Sequence, residues 1–225
     1  MTARFAFTAL LLLAASPALS QQFGTAQLPI KADDGKPIAN HAVTAAQMAK
    51  VAGLPGLVPA GNPKGDVTLY QFYDLNCPFC REASRDVHEL VRTDRNLRLV
   101  FVPYPTLSVQ SVEGGRVELA LREIATPDRF MEFHRRLYFR RGTIDGARAL
   151  ETAREMGFDL KKILEIANAK HVTETMKQHA QLGTELKLIA TPSYVIQGVA
   201  ILGHPGLEPL RGIARSVRTC KKAVC

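Results

Sequence analysis

The stretch from Asp66 to Tyr104 constrains the fold more than any other part of the chain. "DVTLYQFYDL" (66–75) is rich in β-branched and aromatic residues and reads as a buried strand. Cys77-Pro78-Phe79-Cys80 follows at once and opens a helix to about Thr93. In that helix Ala83, Val87, Leu90 and Val91 fall at i, i+4, i+7 and i+8, which gives one apolar face. "LRLVFVPY" (97–104) reads as a second strand. Strand, helix and strand in about 40 residues make a βαβ unit.

Around this unit the pattern changes twice. Residues 21–65 are broken by Pro29, Pro37, Pro55, Pro59 and Pro63 and by several glycines, and read as an irregular lead-in with one short helix near Thr44–Val51. Residues 108–188 are helical, with helices expected near 109–125, 128–140, 146–156, 160–169 and 171–187. "TPSYVIQG" (191–198) and "VAILG" (199–203) read as two strands with a turn at Gly198, and a last helix spans about Leu207–Arg218. The expected class is therefore α/β: a βαβ half (66–107) and a ββα half (189–219) flanking an inserted all-helical block (108–188), with a short tail at 220–225.

The first 20 residues, "MTARFAFTALLLLAASPALS", carry one positive charge, an apolar run from Phe5 to Ala15, and small residues at Ala18 and Ser20. This is the pattern of a secretory signal peptide cut before Gln21, and the apolar run is too short to span a bilayer. Export places the four cysteines in an oxidising compartment, where disulfides persist. With 29 basic against 21 acidic side chains the chain is basic, but no arginine or lysine stripe is interleaved with aromatics. The densest run, Arg135, Arg136, Arg140 and Arg141, reads as a solvated surface, and nucleic acid is not an expected partner.

A CxxC supports three chemistries. As a bare disulfide it closes too short a loop to constrain the unfolded chain much. With Cys220 and Cys225 it has the ligand count of a zinc site, but needs the tail folded back and four free thiolates in an oxidising compartment. As a redox pair it has the right setting. A helix N-terminus stabilises a thiolate at Cys77, Pro78 suits the first helical turn, and Cys80 is one turn on, within reach as a resolving thiol. Arg81 is a candidate for added positive charge. No cofactor or metal is expected.

The second signal is "ATPSYV". Proline lacks the ladder donor, so Pro192 at a strand start points to a special backbone, such as a cis bond after Thr191, that leaves Thr191 free to pair with an extended peptide.

With these residues assembled, the chain resembles the DsbA-like branch of thioredoxin-fold disulfide oxidoreductases. The resemblance rests on "GNPKGDVTLYQFYDLNCPFC", the helical insertion and "LIATPSYVIQGVAILG", and orders residues from about 61 to 218. It implies a thioredoxin-like fold with an inserted helical block. Cys77 would be the attacking thiolate and Cys80 the resolving cysteine, with Thr191 and Pro192 helping to hold substrate. It implies a periplasmic thiol:disulfide oxidoreductase acting on cysteines of other exported proteins, most simply as an oxidase, and reset by a membrane-bound redox partner. Isomerase or reductase activity and a non-catalytic binding or chaperone module are the alternatives. Nothing resembles a dimerisation stalk, so a monomer is expected.

Two positions depart from the family pattern. Phe79 stands where the strongest oxidants carry histidine. Gln71 stands where many members bury an acid, six residues before the first cysteine; Asp74 is nearer in sequence. Phe79, Tyr73 and Tyr104 are candidates to line an apolar patch beside Cys77, Phe79 foremost; for Tyr73 and Tyr104 core packing is an equal reading. His88 lies eleven residues beyond Cys77, about 16 Å along a helix, too far to act as its base. His171 and His179 read as surface or capping residues and His204 as a loop residue. Cys220 and Cys225 are expected to close a local disulfide, with a second redox relay and free thiols as alternatives.

Overall fold

The computed structural model describes residues 28–225; the expected signal peptide and its cleavage point lie outside the described residues. The elements run β1 (Asn40–Ala42), α1 (Ala45–Ala52), β2 (Val58–Gly61), β3 (Val67–Tyr73), α2 (Pro78–Thr93), β4 (Leu97–Pro103), α3 (Val109–Ile124), α4 (Pro127–Phe139), α5 (Gly146–Glu155), α6 (Leu160–Ala167), α7 (Lys170–Glu185), β5 (Ser193–Ile196), β6 (Val199–Leu202) and α8 (Leu207–Cys220).

The strands form one sheet in the order β1-β6-β5-β3-β4-β2. β3 and β4 run parallel, from Val67↔Leu97 to Tyr73↔Pro103, and are the βαβ pair read from the sequence. β5 lies antiparallel on the other side of β3, with Gln71 opposite Tyr194.

Alternation along β3 divides the core. Leu69 and Tyr73 face α2, α4 and α8, packing with Val87, Leu90, Phe133, Leu137 and Ile213. Tyr70 and Phe72 face the opposite way and pack with Val51, Leu182 and Leu186 of α1 and α7. Both faces of the central strands are covered, which is why β3 and β4 read as nearly continuous apolar runs.

The helical block holds five helices close to the expected limits. Four of them start at a side-chain cap: Ser108, Thr126, Asp145 and Asp159 each accept a hydrogen bond from a first-turn N–H. The arginine run is ion-paired on the surface. Arg135 and Arg136 share Glu132, and Arg140 binds Glu151 and Glu155.

The lead-in is where the expectation fails. The helix near Thr44–Val51 is present and opened by a Thr44–Gln47 capping box, but residues 21–65 are not simply irregular. β1 and β2 come from this segment and form the two edges of the sheet. β1 is three residues long, too short to give an alternation. β2 contains Pro59, which a central strand rejects and an edge tolerates.

Among the described residues no helix is long and apolar enough to cross a membrane.

Candidate active site

Cys77 is the N-cap of α2, with Pro78 in the first turn. The loop that delivers it from β3 is pinned by two polar side chains. Asp74, fully buried, accepts hydrogen bonds from the N–H groups of Asn76 (2.8 Å), Thr106 (2.8 Å) and Leu107 (2.9 Å), and from the Ser111 hydroxyl (2.7 Å). Asn76 donates through Nδ2 to the Ile144 carbonyl at 2.8 Å and accepts from the Ile144 N–H at 2.7 Å. The helical block therefore holds the cysteine loop in place.

The Thr191–Pro192 bond is cis. Thr191 stands just outside the β5 ladder, which begins at Ser193↔Leu202. Its carbonyl accepts the Cys77 thiol at 3.0 Å. The two segments that sequence reasoning singled out, 114 residues apart, thus meet at one sulfur.

Both cysteines are free thiols and buried, but their acidities diverge. The Cys77 thiol is lowered to about 6, chiefly by a hydrogen bond from the Cys80 thiol. The Thr191 side chain and the backbone N–H groups of Cys80 and Phe79 add to this, against the effect of burial. Cys80 is pushed far upward, first by burial and then by the bond it gives to Cys77. One sulfur is therefore a thiolate near neutral pH and the other a thiol.

Cys77 borders a groove of about 740 Å³, whose walls include Phe79, Tyr104, Leu107, Leu188, Ile189 and Thr191. Phe79 is 64% exposed, Leu107 55% and Ile189 72%, so the rim of the groove is apolar and open. A second cavity, of about 660 Å³, lies around His88, Met131 and Arg135 and contains neither cysteine.

A CxxC at a helix start beside a cis-proline, on a sheet of this order, can be compared with known proteins. The model of the DSBA-like thioredoxin domain matches residues 68–213. The chain belongs to the DSBA-like thioredoxin family. Its structure is similar to a thioredoxin-like oxidoreductase from Silicibacter pomeroyi DSS-3, with 32% identity and a TM-score of 0.70 over 76% of this chain and 97% of that one. The fold is shared with the thiol-disulfide exchange protein alpha-DsbA2 from Wolbachia pipientis, at 20% identity and TM-score 0.65 over 74% and 92% of the two chains. It is also shared with a periplasmic thioredoxin-like protein from Salmonella enterica serovar Typhimurium, at 20% identity and TM-score 0.67 over 78% and 98%. No curated protein matches the chain at a significant level. The DSBA-like assignment agrees with the fold read from the sequence, a thioredoxin-like sheet with helices inserted between its halves.

Within this DSBA-like frame the candidate residues separate. Cys77, Phe79, Tyr104 and Thr191 share the groove. Tyr73 does not reach it: its ring is buried and its hydroxyl donates to Glu118 at 2.7 Å. Arg81 turns away from Cys77, donating to the carbonyls of Tyr138, Arg140 and Gly142 at the end of α4. Gln71 is buried, and its side-chain oxygen has no partner among the described residues.

The histidines are less uniform than expected. His171 is a surface residue paired with Glu123. His179 is fully buried, its ring nitrogens 2.8 Å from the carbonyls of Pro103 and Pro55, so it is a core bridge and not a surface or capping residue. His204 does more than sit in a loop. It links the Tyr194 hydroxyl (2.8 Å) to Asp86 of α2 (2.9 Å). Cys220 and Cys225 are joined by a disulfide, with Cα atoms 6.1 Å apart. Among the described residues no group of three or more His, Cys, Asp or Glu side chains is placed to hold a metal ion.

Sequence reasoning missed Asp74 and Asn76 as the residues that fix the cysteine loop, and Leu107 and Ile189 as groove walls. An Asp-x-Asn ahead of a helix start is a turn signal, but what it binds is decided by the helical block.

Proposed function

We propose that this protein is an exported thiol:disulfide oxidoreductase that works as an oxidase, passing its Cys77–Cys80 disulfide to cysteine pairs of other exported proteins. The observation that carries the reading is geometric: Cys77 caps the start of α2 with its Sγ 3.0 Å from the Thr191 carbonyl and borders an open apolar groove, and its acidity is lowered to about 6 while that of Cys80 is raised. A stabilised thiolate favours the reduced protein, which makes its disulfide a good oxidant.

The steps balance as follows. A client thiolate attacks Cys77 Sγ, the Cys77–Cys80 bond breaks, and Cys80 leaves and takes up a proton. A second client thiolate then attacks the client sulfur of the mixed disulfide and displaces Cys77. The low pKa of Cys77 makes it a good leaving group, so release is favoured over return. The client loses two electrons and gains a disulfide, and the protein ends with a Cys77 thiolate and a Cys80 thiol. A membrane-bound partner would remove the two electrons. The groove and the Thr191 backbone would hold the client chain in an extended form, with Phe79 as an apolar contact. The N-terminal leader pattern and the periplasmic relative support export.

The test uses the oxidised protein and a reduced, unfolded model protein with several cysteines. Stoichiometric loss of client thiols, abolished by Cys77→Ser, is the expected result. Retained client binding with no thiol loss would replace this reading with a binding module.

A further inference from the structure

The groove beside Cys77 has one charged residue among those lining it, Lys187. Its place in the backbone is unusual. α7 closes in a Schellman arrangement, with the Leu188 N–H donating to the Gly183 carbonyl (2.9 Å) and the Lys187 N–H to that of Thr184 (2.9 Å). Lys187 takes the left-handed position of this cap, at φ 54°. Glycine is the usual residue there, because any Cβ crowds the following carbonyl. A long cationic side chain thus stands where the local backbone favours none.

The surrounding charges leave this cation available. The adjacent Glu185 is held by Lys50 at 2.7 Å. Lys187 itself makes no ion pair among the described residues, and its side chain is exposed. Lys187 does not figure among the main causes of the low Cys77 pKa, which are hydrogen bonds from Cys80, Thr191 and the α2 backbone. Because Lys187 lines the groove beside Cys77, a chain lying there meets its charge. Lys187 is four positions before Thr191, so their Cα atoms lie within about 13 Å of each other at roughly 3.3 Å per residue, and both line the groove.

We propose that Lys187 sets client specificity: the site prefers a cysteine with a carboxylate two to four residues away over one flanked by lysine. This rests on the thiol-exchange reading above. The attraction at the groove rim is screened by salt and operates mainly at low ionic strength.

The experiment reacts the oxidised full chain with three reduced peptides that share one cysteine and apolar flanks and carry Glu, Gln or Lys at the flanking position. Each peptide's own thiol reactivity cancels when its rates are compared across protein variants. Lys187→Gly keeps the cap, removes the charge and is expected to unfold at or above the wild-type temperature. The Glu-to-Lys rate ratio should fall about three- to tenfold from wild type to Lys187→Gly, and further, to the opposite preference, in Lys187→Glu. The wild-type advantage should disappear in molar salt. An unchanged ratio across all three proteins overturns the specificity role and leaves the exchange reading standing. No reaction of wild type with any peptide removes both.

Discussion

The sulfur of Cys77 lies 3.0 Å from the carbonyl oxygen of Thr191. This contact joins the start of α2 to the loop before β5. It places the Cys77 thiol against a backbone group that is outside the sheet ladder.

The first prediction concerns the thiol. Iodoacetamide labelling of Cys77 in the reduced protein should titrate with a midpoint near pH 6. Cys80→Ala removes the hydrogen bond that contributes most, so the midpoint should move toward the ordinary value near 9. Cys80→Ser, which retains a donor, should shift it less. Midpoints that stay near 6 in both variants would show that α2's backbone, not Cys80, stabilises the thiolate. The linkage sign follows from a depressed acidic group: the reduced form gains stability as pH rises from about 6 toward 9, and loses it as pH falls back to 6.

Asp74 accepts four hydrogen bonds from buried or half-buried donors. Asp74→Ala should destabilise the protein by roughly 3 kcal/mol, because buried donors lose a charged acceptor. Denaturant unfolding measures this, and a loss under 1 kcal/mol would mean that water replaces the carboxylate.

His88 is pushed down to about 3, mainly by burial, with repulsion from His134 and Arg135 adding to it. The unfolded chain binds this proton near the ordinary value of 6.5. Stability should therefore fall as pH drops from 6.5 toward 3, with a slope from this residue of up to about 1.4 kcal/mol per pH unit. His88→Leu should flatten that part of the stability curve, as read by urea unfolding between pH 4 and 7. The same slope in the variant would assign the acid sensitivity to other groups.

Phe79 projects from the CPFC turn, 64% exposed, at the groove mouth. Phe79→Ala should leave the melting temperature nearly unchanged. It should lower kcat/KM for an apolar peptide thiol by about five- to tenfold, the scale of a partly buried aromatic contact. A lowered melting temperature with unchanged kcat/KM would make Phe79 a packing residue.

What the sequence revealed follows from how each feature is encoded. β3, α2 and β4 were legible because their apolar periodicity is long and the CPFC lies at their junction. Pro192 was legible because proline, which lacks a ladder donor, heads an otherwise regular strand. The edge strands β1 and β2 were hidden by their shortness and by Pro59. The roles of Asp74, Asn76 and His204 depend on partners 32 to 118 residues away, and no local pattern records them. Arg81 was misread for the same reason, since packing turns it toward α4, and Tyr73 takes the core position that the sequence left open beside the groove.

The central claim is that the Cys77–Cys80 disulfide is an oxidant. Its most direct test is the equilibrium reduction potential against glutathione, with Cys220→Ser and Cys225→Ser removing the tail disulfide. The account predicts a value well above the about −270 mV of reducing members of such folds, toward the about −120 mV of the strongest oxidants. A value near −270 mV would contradict it and make the protein a reductant that depends on a partner to keep Cys77 and Cys80 reduced.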